Sequence, residues 1–259
     1  MGKKSERMNR LIELLKEQES ISIRKLSEML NVSEMTIRRD LKSLEENDVI
    51  NRGYGKATLK ETPREDFKDE NYELLSAKTK HNDEKERIGK YAATLVKPGD
   101  ILILDTGSTT ERIAKYIPDD MDLTVMCYNY NTLAYLVHKP YVNLIFPGGY
   151  YHPNGQFFES LHGIKLIEET RVTKMFLSVS GIHKMLGITC SNNYEVLTKR
   201  SAIQSARTRI IVADSSKFGK IRPAYFATLE DVDMIITDTG LAQEWQEYLE
   251  RLVIELDMV

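Results

Sequence analysis

The strongest constraint on this chain is a repeating alternation. From residue 83 on, short apolar runs are separated by segments of helical periodicity. The runs are ILILD (101–105), LTVMCY (123–128), VNLIF (142–146), KMFLSVSGI (174–182), RIIVADSS (209–216) and DMIITD (233–238). An unbroken apolar strand has both faces buried, and alternation with helices supplies the cover for those faces. The pattern predicts an α/β domain with a mostly parallel sheet over 83–259. Asp83 with Glu86 marks the start of its first helix, whose stripe is Ile88, Ala92 and Leu95 and whose stop is Pro98-Gly99. Further helices are expected over about Glu111–Tyr116, over TLAYLVHK with Asn131 as its cap, over EVLTKRSAIQSA and over AQEWQEYLERL.

In such sheets ligands sit beyond the carboxyl ends of the strands. Asp105, Thr106, Gly107, Ser108, Thr109 and Thr110 lie at one such end, ahead of a helical pattern. Gly107 permits a tight turn, the hydroxyls add donors, and the following helix offers its positive end to an anion. The loop suits a small phosphorylated ligand. It has too few glycines, and no following Lys, for a nucleotide-hydrolase phosphate loop, and it is not a dinucleotide fingerprint. An ordinary strand-to-helix turn with a hydroxyl cap is the other reading. Asn129, Gly148-Gly149 and Ser215 to Lys217 fall at other strand ends.

The first sixty residues read differently. Met8, Leu11, Ile12 and Leu15 recur at helical spacing. Ser22 can cap a short helix with Leu26, Met29 and Leu30 facing inward, and Asn31-Val32 makes a turn. Ser33 then caps a third helix, EMTIRRDLKSLEEN, with Ile37, Leu41 and Leu44 on one face and Met35, Arg38, Arg39, Lys42 and Ser43 on the other. Three short helices with a tight turn before the last make a helix-turn-helix. Arg38, Arg39 and Lys42 can meet phosphates or guanine edges, while Ser33 and Thr36 let the helix start approach a groove. DVINRGYGKATL reads as two strands of a wing, with Arg52 and Lys56 at its tip. Residues 1–60 carry 13 Lys and Arg against 10 Asp and Glu, although the whole chain has a net charge of −3. A basic module on an acidic body suits a polyanion partner, and scatter of surface charge is the other reading.

Residues 61–82 are strongly charged around Pro63 and read as a linker with a short helix near Tyr72 to Lys78. The division expected is therefore 1–60, 61–82 and 83–259. Cys127 and Cys190 sit in apolar surroundings without zinc spacing, as small core residues of a reduced, cytoplasmic protein. No metal or cofactor is expected, and no run reaches membrane-spanning length.

VSEMTIRRDLKSLE, DTGSTT, the paired glycines, VADSSKFG and IITD occur in the order found in the DeoR family of bacterial transcription regulators, which the chain resembles over essentially its whole length. The resemblance implies an N-terminal winged helix-turn-helix plus a C-terminal mostly parallel α/β sugar-phosphate sensor domain resembling ribose-5-phosphate isomerase. It implies a repressor released from operator DNA by a phosphorylated sugar effector. Carried over by residue, it assigns the phosphate loop to Asp105, Gly107, Ser108, Thr109 and Thr110, and a second wall to Gly148 and Gly149. Glu195 and Lys217 become a polar pair facing the sugar, and Asn129 joins the effector group. MCYNYNTLAYL, GIHKMLGITCSNNYE and DSSKFGKIRPA resemble the branch of the family for which deoxyribose 5-phosphate is the implied inducer. The wing departs from the family's usual His-Gly-Gly run, reading Arg52-Gly53-Tyr54-Gly55-Lys56. The aromatic segment PGGYYHPNGQFFES is also distinctive and is expected to line the sugar pocket.

Two other functional classes are open from residues alone. Asp105, Glu195 and Lys217 could serve acid–base chemistry in an isomerase, and a DNA-binding activator has the same sequence features as a repressor. His183 at a strand end is a candidate sugar contact. Trp245 either marks a subunit contact or half-buries against the body. Helix-turn-helix proteins bind paired half-sites, so a homo-oligomer is expected. Coupling is expected to run through ordering of the 106–110 loop and the Tyr150 to Phe158 segment.

Overall fold

In the computed structural model of the chain, the residues described are Leu11, Leu14, 21–46, 50–53, 56–59 and 81–259, with backbone only for 43–46, 50–53 and 56–59. The linker with its expected helix near Tyr72 to Lys78 lies outside them, as do Met8, Ile12 and Leu15 and the side chains of Ser43 and Leu44. The chain divides into two compact units, Met1–Glu70 and Asn71–Val259.

The first unit contains β1 (Ile21–Ser22), α1 (Ile23–Leu30), α2 (Glu34–Glu46), β2 (Ile50–Gly53) and β3 (Lys56–Leu59). Ser22 caps α1 by accepting from the Lys25 N–H at 3.2 Å. Asn31 ends α1 in the left-handed region at φ 50°, a conformation Asn tolerates better than most residues. Ser33 then caps α2 through the Thr36 N–H at 3.2 Å. The core is Leu11, Leu14, Ile21, Ile23, Leu26, Ile37 and Leu41. Met29 is 47% exposed rather than inward, because Ile23 and Leu26 already fill the buried face of an eight-residue helix. β1 is a third strand that the sequence pattern did not reveal; it pairs antiparallel with β3, giving the order β1-β3-β2. Gly53 pairs with Lys56 in the antiparallel register of β2 and β3.

The second unit begins with α3 (Asn82–Thr94), β4 (Ile101–Leu104), α4 (Thr110–Tyr116), β5 (Leu123–Cys127), α5 (Tyr130–Leu136) and β6 (Val142–Ile145). A hairpin β7 (Tyr150–His152) and β8 (Phe157–Glu159) follows, then α6 (Leu161–Glu169), β9 (Val172–Leu177), β10 (Gly181–His183) and β11 (Gly187–Cys190). The chain ends with α7 (Val196–Ser205), β12 (Ala206–Val212), β13 (Ala224–Ala227), β14 (Met234–Thr237), α8 (Gln243–Arg251) and β15 (Glu255–Met258). Seven strands form a parallel sheet in the order β15-β14-β12-β9-β4-β5-β6. A second, antiparallel sheet, β10-β11-β13, lies apart from it in the hydrogen-bonding pattern.

Alternate strand residues feed two cores. Leu102, Leu104, Val125, Cys127 and Phe176 pack with Ile88 and Ala92 of α3 and Ile113 of α4. Ile103, Met126, Met175 and Leu177 pack with Ile167, Ala202, Trp245 and Leu249 of α6, α7 and α8. That strict alternation is the period-2 rule applied to a sheet covered on both faces.

Three local expectations are corrected. α3 starts at Asn82 after a left-handed His81 with no side-chain cap, so Asp83 sits within its first turn. Asn129, not Asn131, caps α5: its side chain accepts from the Asn131 and Thr132 N–H groups at 3.0 and 3.2 Å. KMFLSVSGI breaks into β9 and β10, because Ser178 turns aside to meet Asp105. Trp245 follows the second of its two readings and buries against the body, edge-on to Phe218 at 5.3 Å.

Candidate functional site

β12, β9 and β4 are neighbours in the sheet, and their carboxyl ends open into one narrow cleft. The loop after β4 lines it with Thr106, Gly107, Ser108 and Thr109. The loop after β9 contributes Ser178 to Ser180, and the end of β12 contributes Val212 to Asp214. Lys217, Glu195 and Lys85 complete the wall.

The loop after β4 is held from inside. Thr110 donates its hydroxyl to the carbonyls of Asp105 and Gly107, at 2.6 and 2.9 Å. Gly107 is required by contact: a Cβ there would lie 2.5 Å from Ser178 Cβ. The Ser178 hydroxyl also bonds the Thr106 carbonyl.

Beneath the loop lies a buried charge cluster. Lys199 of α7 places Nζ 2.5 Å from Asp105 Oδ2, 3.1 Å from the Ser178 carbonyl and 3.5 Å from Glu195 Oε2. Asp105 also accepts from the Tyr128 hydroxyl and the Ser178 N–H, each at 2.9 Å. Asn192 donates to Glu195 at 2.7 Å. Burial disfavours the Lys199 ammonium, but Asp105 and Glu195 outweigh it and hold its pKa above the ordinary lysine value. Burial raises the Glu195 pKa, with Lys199 opposing it. Burial, then the Asp105 charge, pushes the Tyr128 phenol well up. The carboxylate and ammonium at the centre thus satisfy each other, which makes Asp105 a brace rather than a free base.

Lys85 is the second buried lysine. It is 2% exposed and stands 4.0 Å from Asp214. Desolvation lowers its pKa to about 8, against the raising effect of Asp214 and with the help of Lys217. The cleft therefore holds two cations, Lys85 and Lys217, a hydroxyl-rich loop and the Glu195 carboxylate. Thr106 Oγ1 and Asp214 Oδ2 are buried there without a hydrogen-bond partner among the described residues. A ligand carrying both an anionic group and hydroxyls would meet each of these needs.

Of the residues singled out in sequence, Gly107, Ser108, Thr109, Glu195 and Lys217 line this cleft. Asp105 and Thr110 support it from behind. Asn129, Gly148 and Gly149 do not line it. Asn129 is fully buried and donates to the Gly155 carbonyl at 3.1 Å, pinning the β7–β8 hairpin. Gly148 and Gly149 enter that hairpin at φ 64° and 123°. The aromatic segment is likewise not a cleft wall; Phe157 backs the site, edge-on to Tyr128 at 5.6 Å. His183 turns away to accept from the Met185 and Leu186 N–H groups at 3.2 Å. Sequence reasoning missed Lys85, Tyr128, Ser178, Lys199 and Asp214. Two signals were available: Lys85 shares the helical face of Ile88 and Ala92, and Lys199 lies four residues after Glu195.

In the first unit Met35 is 71% exposed, and Arg38, Arg39 and Lys42 are exposed with Ile37 and Leu41 opposite them. Arg38 pairs with Glu34 at 3.2 Å, a surface contact worth at most about 1 kcal/mol and easily given up to a phosphate. Ser22, Ser33 and Thr36 sit at the two helix starts. Arg52 faces Ala57 across the wing, and Lys56 faces Gly53.

A winged helix-turn-helix on one chain with a doubly wound sheet and a cationic cleft defines a DNA-binding regulator that carries a sensor unit. Residues 7–63 match the DeoR-like helix-turn-helix domain and residues 80–239 the DeoR C terminal sensor domain, so the chain belongs to the DeoR family. The deoxyribose operon repressor of Escherichia coli (strain K12) is 32% identical over 254 residues, 98% of each chain. The HTH-type transcriptional regulator GolR of Listeria innocua is 35% identical over 236 residues, 91% of each. Among solved structures, ribose 5-phosphate isomerase A of Methanocaldococcus jannaschii aligns with a TM-score of 0.39 at 14% identity, over 53% of this chain and 54% of that one. No helix among the described residues is long and apolar enough to cross a membrane.

Proposed function

We propose that the chain represses an operon of sugar or deoxyribonucleoside catabolism and that a phosphorylated sugar, deoxyribose 5-phosphate foremost, releases it from operator DNA. The reading rests on one observation above others. Lys85, Lys217 and the Gly107–Thr109 loop line one cleft together with Glu195. Two cations and a hydroxyl-rich turn suit a phosphate, and a carboxylate suits sugar hydroxyls. The name of the Escherichia coli relative supports the choice of sugar. A different sugar phosphate is the alternative, because the residues nearest the sugar end, Ser178 to Ser180 and Glu195, accept hydroxyls in several arrangements.

DNA contact is assigned to α2 through Met35, Arg38, Arg39 and Lys42, with Ser22, Ser33 and Thr36 at the helix starts and Arg52 and Lys56 in the wing. The protein works as a homo-oligomer on paired half-sites, in the bacterial cytoplasm. A thermal-shift panel on the full chain, with pentose and hexose phosphates beside their unphosphorylated sugars, tests the sensor part. Stabilisation by phosphorylated sugars alone is expected, greatest with deoxyribose 5-phosphate. Equal stabilisation by the free sugars would overturn it.

A further inference from the structure

The cleft is fastened to one particular helix turn. Arg112 of α4 donates to the Ser108 carbonyl and, at 2.6 Å, to the Asn82 side chain, and its guanidinium lies 2.9 Å from the Glu86 carboxylate. Asn82 and Glu86 belong to the first turns of α3. Lys85 stands between them in sequence and reaches the cleft directly. The two helices are seated closely: a Cβ at Gly89 would lie 2.4 Å from Arg112 Cβ. α3 is also the first described element after the linker, so the chain passes into it from the DNA-binding unit.

We propose that Arg112 and Lys85 report occupancy of the cleft to the first turn of α3, which makes residues 82–86 the relay between bound phosphate and the linker. This rests on the sensor reading above and adds the route by which that sensor acts.

Two physical steps carry it. The Ser108 carbonyl and the Thr109 N–H belong to one planar peptide. A phosphate that takes the Thr109 N–H tilts the carbonyl that Arg112 holds, and Arg112 holds Asn82. Lys85 supplies the second step. A cation in a first helical turn is opposed by the helix dipole, and this one is buried as well. Asp214 is a counter-charge to it at 4.0 Å. A phosphate on the loop is a more highly charged partner, so Lys85 exchanges Asp214 for the ligand. Only such a difference in interaction between the two states can move an equilibrium.

Hydrogen exchange on the full-length chain, with and without 2-deoxyribose 5-phosphate and, separately, inorganic phosphate, tests this. The wild type is expected to gain protection at 106–110 and at 82–88 together. Asn82→Ala is expected to keep the loop's protection and bind the probe within about twofold of wild type, yet lose the added protection at 82–88. Lys85→Met is expected to weaken probe binding roughly tenfold or more; should it not fold, Asn82→Ala decides alone. Protection of the loop without protection at 82–88 in the wild type overturns the relay and leaves the sensor standing. Asn82→Ala that loses protection at 82–88 equally with and without probe marks a merely structural contact and also overturns it. Failure of both probes to protect the loop removes the sensor reading, and the relay with it.

Discussion

Lys199 and Asp105 form an ion pair of 2.5 Å in which both side chains are buried, one offered by α7 and the other by the end of β4. The pair joins the two halves of the sheet's ligand end. A buried pair of this kind adds little against an apolar replacement, but losing one member leaves a stranded charge.

Lys199→Met is therefore expected to cost on the order of 3–5 kcal/mol of unfolding free energy. Asp105→Asn on top of it should recover part of that loss rather than add to it. Denaturant unfolding of the two single variants and the double variant measures the coupling. Strict additivity would mean that the pair is not an energetic unit.

Lys85 gives a pH dependence of definite sign. Its folded pKa is about 8, against an ordinary value of 10.5. Below pH 8 the residue is charged in both states and the full cost of burying it is present. Between those values the unfolded chain binds more protons, so stability rises with pH through that window. Lys85→Met is expected to be more stable than wild type below pH 8, by up to a few kcal/mol, and to flatten this rise. Affinity for a phosphorylated ligand should fall as pH climbs past about 8, since Lys85 then loses its charge. Equal slopes in wild type and Lys85→Met, from chemical unfolding between pH 7 and 10, would contradict the assignment.

Gly107→Ala inserts a Cβ 2.5 Å from that of Ser178. The loop after β4 must shift, at a cost of about 1–3 kcal/mol. Binding of phosphorylated sugar by calorimetry should drop by at least an order of magnitude, and wild-type affinity in this variant would contradict the role given to the loop.

Arg39→Ala removes one exposed cation from α2. Operator affinity should weaken about 10-fold or more, and the slope of log affinity against log salt should fall by about one. Anisotropy titrations at several salt concentrations read both. An unchanged slope would move the DNA-reading face elsewhere on α2.

Six of the seven sheet strands were legible in sequence because they are apolar runs, ILILD and DMIITD above all; the edge strand β15, which carries Glu255 and Asp257, was not. Asp105 and the loop after it were legible for the same reason, since they end such a strand. Lys199 and Lys85 were not. Each lies in a helix among other charged residues, as in DEKERIGK, where a lysine ordinarily points to water. Only their burial against carboxylates distant in sequence, Asp105 and Asp214, reveals them. Asn129 and Asn131 differ by two residues at one helix start, and either could cap it; the choice came from the hairpin whose Gly155 carbonyl Asn129 also holds. Gly148 and Gly149 looked like a ligand loop because paired glycines after a strand allow one; here Gly149 folds back against Glu159 and Ser160, and Gly148 has open space where its Cβ would be.

The most direct test is release of DNA. A duplex selected by the chain from a random pool is titrated with it, and then with deoxyribose 5-phosphate, deoxyribose and other sugar phosphates, while anisotropy is followed. The expected result is dissociation by deoxyribose 5-phosphate at concentrations where deoxyribose does nothing. Undiminished DNA binding in the presence of every phosphorylated sugar, under conditions where one of them demonstrably occupies the cleft, would contradict it.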